Sequence, residues 1–157
     1  MKGTVIFDFD YTLADTARFK EAMTDSTDAA VRRMPEFLFE GADSVLRRLK
    51  DEGWKLALLT LGEPAWQERK ALHSGLMAHF DYVMYTAEPK ATRVDELLAW
   101  PAPLVFVNDN GEEIDALRDA LPQCRMIALR GPKPLPKSQD VAVCADLEEV
   151  YRSVVSG

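Results

Sequence analysis

Histidine and cysteine are scarce in this chain, with two of each in 157 residues. His73 and His79 fall near the expected end of one helix and in the loop after it, with no acidic partner close in sequence. They read as surface or capping residues rather than catalysts. Cys124 and Cys144 are flanked by residues that suit strands near the core, and neither has a histidine at metal-ligand spacing. They read as buried reduced thiols, which argues against a disulfide framework or a catalytic thiol and points to the cytoplasm. Positive charge is also short: 19 Lys and Arg against 26 Asp and Glu give a net charge of -7. That balance argues against a broad nucleic-acid-binding surface. Long apolar runs are missing too. The first, residues 5–7, is cut by Asp8, so neither a signal peptide nor a membrane span is expected there. Internal repeats and low-complexity tracts do not occur.

What is there is an ordinary globular composition, 47% apolar and 29% charged. The length suits one domain over residues 1–157, because compact domains commonly run to about 100 to 200 residues. Residues 4–9, TVIFDF, are β-branched or aromatic and apolar on both faces, as a central parallel strand requires. Ala42, Val45, Leu46 and Leu49 recur at helical spacing, Gly53 ends that helix, and residues 56–59 form a second strand. The alternation then repeats. Pro64 opens a helix that closes near residues 73–75, and residues 82–85 make a third strand. A helix marked by Val94, Leu97 and Leu98 leads to a fourth strand at residues 104–107, and one marked by Ile114, Leu117 and Leu121 to a fifth at 126–129. Residues 131–137, GPKPLPK, read as a loop, 141–143 as a short edge strand, and Leu147, Val150, Tyr151 and Val154 as a closing helix. Strands alternating with helices predict an α/β, Rossmann-like parallel sheet of five to six strands with helices on both faces. Ligands in such sheets bind outside the carboxyl ends of the strands.

Residues 14–40 break this alternation. Two weak helical stretches, 16–23 and 27–34, are separated by the turn-prone residues 25–28, with Pro35 just beyond. A small helical hairpin inserted after the first strand is expected.

Polar residues end or interrupt the apolar runs: Asp8, Asp10 and Thr12 after strand one, Thr60 after strand two, Lys90 after strand three, Asp109 and Glu113 after strand four. Each has a plain structural alternative. Asp10 and Thr12 can shape a turn, Thr60 can be a strand residue, and Lys90 can be a solvated charge. The acidic run NDNGEEID at 108–115 also invites a calcium-loop reading. It fails on register, because with Gly111 as the loop glycine the first ligand would fall on Phe106. A helix start explains it better, with Glu112 and Glu113 at the positive end.

Together these residues resemble the haloacid dehalogenase (HAD) superfamily. FDFDYTL at residues 7–13 is similar to its DxDxT motif, LLT at 58–60 to its second motif, Pro89 and Lys90 to its third, and Asn108, Asp109 and Glu113 to its fourth, GDxxxD. The resemblance implies a magnesium-dependent phosphatase with Asp8 as nucleophile and Asp10 as acid/base. It implies a Mg2+ site of Asp8, the Asp10 carbonyl and Asp109, with Glu113 acting through water. Lys90 would offset phosphoryl charge, and Thr60 would bind the phosphoryl oxygens. Asp10 weighs against carbon–halogen chemistry, since dehalogenases of the family usually lack an acid there. The alternatives are a phosphomutase or other phosphotransferase with the same site, and a binding protein that has lost turnover.

Three residues depart from the family pattern: Asn108 where glycine is usual, Glu113 where aspartate is commoner, and Tyr11 where glycine is frequent. The insertion is much shorter than the common helical cap. A wide site follows, open to a large phosphorylated substrate or to closure by a second subunit in a homo-oligomer. Arg18 and Lys20 are placed to meet an anionic leaving group or to line a solvated helix face. Glu63, Trp66 and Gln67 are placed to border the pocket, while Trp66 and Trp100 otherwise read as helix-face packing.

Overall fold

A computed structural model describes residues 1–157. Six strands form one parallel sheet: β1 (Thr4–Phe7), β2 (Lys55–Leu61), β3 (Tyr82–Thr86), β4 (Leu104–Asn108), β5 (Arg125–Leu129) and β6 (Ala142–Cys144). Their order is β3-β2-β1-β4-β5-β6. The chain winds outward from β1 through β2 to β3, then crosses back to β4 on the other side of β1. This reversal beside β1 opens a crevice at the carboxyl edge of the sheet. Register sets what lines it. Phe7 pairs with Leu58 and Val107, so Asp8, Thr60 and Asn108 all fall at that edge.

Seven helices accompany the strands: α1 (Thr16–Met23), α2 (Thr27–Arg32), α3 (Ala42–Asp51), α4 (Pro64–His73), α5 (Val94–Leu97), α6 (Gly111–Ala120) and α7 (Leu147–Ser156). Alternate strand residues face opposite layers. Val5, Phe7, Leu56, Leu58, Val105 and Val107 join the larger apolar cluster with α3 and α7, while Ile6, Ala57, Leu59 and Phe106 pack with α5 and α6. Burial on both faces explains why β1 and β4 read as unbroken apolar runs. In α3 the predicted stripe of Ala42, Val45, Leu46 and Leu49 is buried. No helix is long and apolar enough to cross a membrane.

The insertion is a helical hairpin as expected. Asp15 caps α1 by accepting from the Arg18 N–H, and Ser26 caps α2 by accepting from the Ala29 N–H. The second helix stops at Arg32 rather than 34, and Met34–Phe37 form a tighter 3₁₀ turn. Pro35 is the reason, having no N–H to continue an α-helix. Phe19, Val31, Met34 and Phe37 belong to the same cluster as Phe7 and Leu46, so the hairpin lies on the sheet's own core. Smaller differences occur elsewhere. β1 ends at Phe7 because the amides of Thr12, Leu13 and Ala14 all turn back to the Phe9 carbonyl. β6 begins one residue later than expected, and Leu98 lies exposed beyond the short α5.

Candidate active site

Asp8 follows the last residue of β1, and its N–H still bonds the Val107 carbonyl at 3.1 Å. Lys90, 2% exposed, donates to Asp8 Oδ1 at 2.8 Å and lies 2.7 Å from Glu113 Oε1. Thr12 Oγ1 stands 3.4 Å from Asp8 Oδ2 and 3.1 Å from Asp109 Oδ1, tying the two carboxylates together. Burial pushes the Asp8 carboxyl up to about 7, against the pull of Lys90 and with a further push from Glu113 and Asp109. For Glu113 burial acts upward too, but Lys90 and the Asn108 amide outweigh it and hold the group below its usual range.

Asn108 has a role that the motif comparison missed. It ends β4 without a positive φ, so the backbone here does not require glycine. Its side-chain amide donates to Glu113 Oε1 at 2.8 Å, and Asn110 Nδ2 reaches Oε2 at 3.2 Å. Asn110 also caps α6, accepting from the Glu112 and Glu113 N–H groups, which agrees with the helix-start reading of this acidic run.

Asp10 is held by side chains from α4 and from the start of α1. Lys70 Nζ lies 2.7 and 2.9 Å from its two oxygens, Gln67 Nε2 donates to Oδ2 at 2.9 Å, and Thr16 Oγ1 donates to Oδ1 at 3.1 Å. Burial would raise the Asp10 pKa, but Lys70, Gln67 and Thr16 together outweigh it and hold the carboxyl ionised below its ordinary range. Gln67 also donates to Thr60 Oγ1 at 2.6 Å, so the predicted Thr60 is linked to Asp10 through an amide. Lys70 is absent from the sequence-derived set. Its signal was a polar residue on the buried face of an otherwise ordinary helix: Gln67, Lys70 and Ala71 share that face at i, i+3, i+4 spacing and are all buried.

A cleft of about 510 Å³ opens over this edge, lined by Asp8, Asp10, Gln67, Lys70, Glu113 and Lys133 among others. Thr60, Lys90 and Asp109 stand behind its wall. The cleft is not sealed; the Asp10 side chain is 24% exposed and that of Lys133 37%. Lys133 comes from the loop after β5, residues 131–137, which the sequence marks only as a loop. That loop crosses the start of α6, where the Gly111 N–H donates to the Pro134 carbonyl at 3.2 Å and a Cβ on Gly111 would strike the backbone of Leu135. The crossing brings Lys133 Nζ to 3.2 Å from Asp109 Oδ2.

No group of three or more His, Cys, Asp or Glu side chains is gathered in metal-ligating geometry. A hard cation would therefore depend on the Asp8 and Asp109 pair plus backbone carbonyl and water oxygens. Asp8 and Glu113 line this end of the cleft and Asp109 is buried just behind them; against these three carboxylates stand the buried Lys90 ammonium and the partly exposed Lys133 ammonium, which touches Asp109. Two carboxylates with backbone and water oxygens are the hard donors a divalent ion takes, provided Lys133 gives up Asp109 to it, and Glu113 is too committed to Lys90 and Asn108 to ligate directly.

The remaining sequence candidates settle elsewhere. His79 Nε2 pairs with Asp43, 36 residues away, at 2.7 Å. Trp100 stacks on Tyr82, ring centroids 5.7 Å apart, and Trp66 packs on Phe19 while also lining the cleft. Both cysteines are buried free thiols, and burial pushes Cys124 up to about 12.

The haloacid dehalogenase-like hydrolase family model matches residues 20–120. No curated protein matches the sequence. Among solved structures, an L-2-haloacid dehalogenase from Xanthobacter autotrophicus superposes with a TM-score of 0.76 at 16% identity, covering 99% of each chain. A predicted phosphatase from Clostridium acetobutylicum gives 0.74 at 13% identity over 100% of both chains. A HAD-superfamily hydrolase from Ehrlichia chaffeensis gives 0.69 at 17% identity, over 99% of this chain and 98% of that one. At these identities the likeness is one of fold.

Proposed function

Because this chain belongs to the haloacid dehalogenase-like hydrolase family, we propose that it is a magnesium-dependent phosphatase acting on phosphomonoesters through an aspartyl phosphate on Asp8. The supporting observation is the pairing of two unlike carboxylates on one cleft: Asp8, held on one oxygen by Lys90, and Asp10, held by Lys70 and Gln67. In the first step the Asp8 oxygen not held by Lys90 forms a bond to phosphorus as the bond to the leaving oxygen breaks, and Asp10 delivers the proton that oxygen needs. In the second, water attacks phosphorus, Asp10 takes its proton, and the Asp8–phosphorus bond breaks to release phosphate. Lys70 keeps Asp10 ionised while the cleft is empty; phosphoryl negative charge beside it raises its proton affinity, so that Asp10 takes a proton from solvent water as the ester binds and carries it to the leaving oxygen. Asp8 and Asp109 would hold magnesium, which neutralises phosphoryl charge when bound. Asp10 also supports phosphoryl over carbon–halogen chemistry, which has no leaving oxygen to protonate. Release of phosphate from p-nitrophenyl phosphate with magnesium, and its loss with EDTA, tests the proposal. No release from that ester or from a panel of phosphorylated metabolites would defeat it.

Two further results are expected. Lys70→Met lowers kcat by roughly 10²-fold, in the range of one acid/base contribution, with KM little changed, as steady-state kinetics will read. An equal fall in affinity would place Lys70 in ground-state binding instead. The second concerns pH. Without magnesium, folded Asp8 holds its proton up to about 7 against an ordinary value of 3.8. The folded state thus binds more protons across that interval, and stability from this group is lost as pH rises from about 4 to about 7. Asp10 and Glu113, both held low, act in the opposite sense only below about pH 4. Thermal unfolding should therefore show a larger magnesium stabilisation at about pH 8 than at about pH 5. Equal stabilisation at both would contradict the assignment.

A further inference from the structure

Two aromatic rings stand on the cleft, and both already carry cations. Tyr11 follows Asp10 and sits at φ 60°, its N–H bonded to the Ala14 carbonyl at 2.9 Å and Thr16 Oγ1 at 3.0 Å. The Lys133 ammonium lies 4.6 Å from the Tyr11 ring centroid, and that of Lys20, on α1, lies 5.6 Å from it. Trp66 is stacked on Phe19 and carries Lys70 at 5.6 Å and Arg69 at 5.9 Å. Rings occupied in this way are poor platforms for stacking a nucleobase, but they hold ammonium groups in place through the ring quadrupole.

The four lysines near the cleft are committed to different degrees. Lys90 is taken up by Asp8 and Glu113, and Lys70 by Asp10. Lys133 touches a single oxygen of Asp109 from a side chain 37% exposed. Lys20 is exposed and pairs with no carboxylate; its ammonium lies over the Tyr11 ring. Both of these loosely held ammoniums line the cleft together with Tyr11, beside the acid that serves the leaving oxygen. A divalent ion on Asp109 would loosen Lys133 further. The leaving part of a phosphomonoester, directed from Asp8 past Asp10, would meet two cations on one phenol ring.

We propose that Lys20, Lys133 and Tyr11 form a subsite for a second anionic group, so that the preferred substrates are phosphomonoesters whose leaving part carries its own negative charge. The inference rests on the phosphatase reading and names its substrate class. Long-chain neutral esters and nucleosides lack the group that these ammoniums would bind.

Calorimetric titration of the magnesium-loaded protein with phosphonoacetate and with ethylphosphonate tests it, because the pair differs in a carboxylate and needs no turnover. Phosphonoacetate should bind about tenfold more tightly, as two partly exposed ion pairs allow. The ratio should fall toward one in Lys20→Ala and invert in Lys20→Glu. In the same preparations glycerate 3-phosphate should be hydrolysed with a correspondingly higher kcat/KM than glycerol 3-phosphate. Equal binding of the two phosphonates, no binding of either, or a ratio untouched by Lys20→Ala would overturn the subsite. Turnover of p-nitrophenyl phosphate reports separately on the phosphatase reading. Turnover without the preference removes the subsite alone, and the preference without turnover removes the phosphatase reading alone.

Discussion

Asp8→Asn is expected to abolish magnesium-dependent phosphate release, a loss of about 10⁴-fold or more in kcat, since the proposed reaction path runs through a covalent bond to this carboxylate. The substitution is nearly isosteric and keeps an oxygen for the Lys90 bond, so the fold should survive. The position is 7% exposed and its carboxyl is already pushed up to about 7 by burial. A neutral amide there relieves the repulsion from Glu113 and Asp109. In EDTA the variant should thus unfold at the same temperature as the wild type or higher, while failing to turn over. Activity surviving in a folded Asp8→Asn protein would require another nucleophile and would end the proposed mechanism.

Lys90→Met should be costly in both activity and stability. Lys90 carries the ammonium that touches Asp8 and Glu113 at once, and the Met side chain fills similar space without charge. Removing one partner of a buried pair leaves uncompensated carboxylates, at a cost of about 3 to 5 kcal/mol. Loss of a donor aimed at the reacting group should lower kcat by about 10³-fold. Asp8 and Glu113 would repel each other most when both are ionised, so the stability deficit should grow from about pH 5 to about pH 8 in magnesium-free denaturant titrations. A variant with wild-type stability at both pH values would show that Lys90 does not hold these carboxylates.

The sheet was legible because its strands are buried on both faces and stand out as short apolar runs between helices of 3.6-residue period. Residues 104–107 and 126–129 needed no tertiary information to be read as strands. Ends were harder: β1 gave up its last two predicted residues to the turn that gathers three amides on the Phe9 carbonyl. The six site candidates were legible for a related reason. Asp8, Thr60 and Asp109 each end or follow an apolar run, and parallel register carries such positions to one edge. What sequence did not show are side chains brought in from helix faces and remote loops. Lys70 lies ten residues past Thr60 on a helix whose orientation only packing decides. Lys133 reaches Asp109 because Gly111 lets the 131–137 loop cross close by. Asn108 read as a defect in a motif, whereas its amide steadies Glu113.

The central claim is that Asp8 accepts a phosphoryl group, and fluorine NMR of the protein with magnesium and beryllium fluoride tests it most directly, because that fluoride mimics an aspartyl phosphate without requiring a known substrate. The account predicts bound fluoride resonances in the wild-type protein, their loss on adding EDTA and their absence from Asp8→Asn. Bound resonances that persist unchanged in Asp8→Asn, or none in a folded, magnesium-loaded wild-type protein, would contradict it.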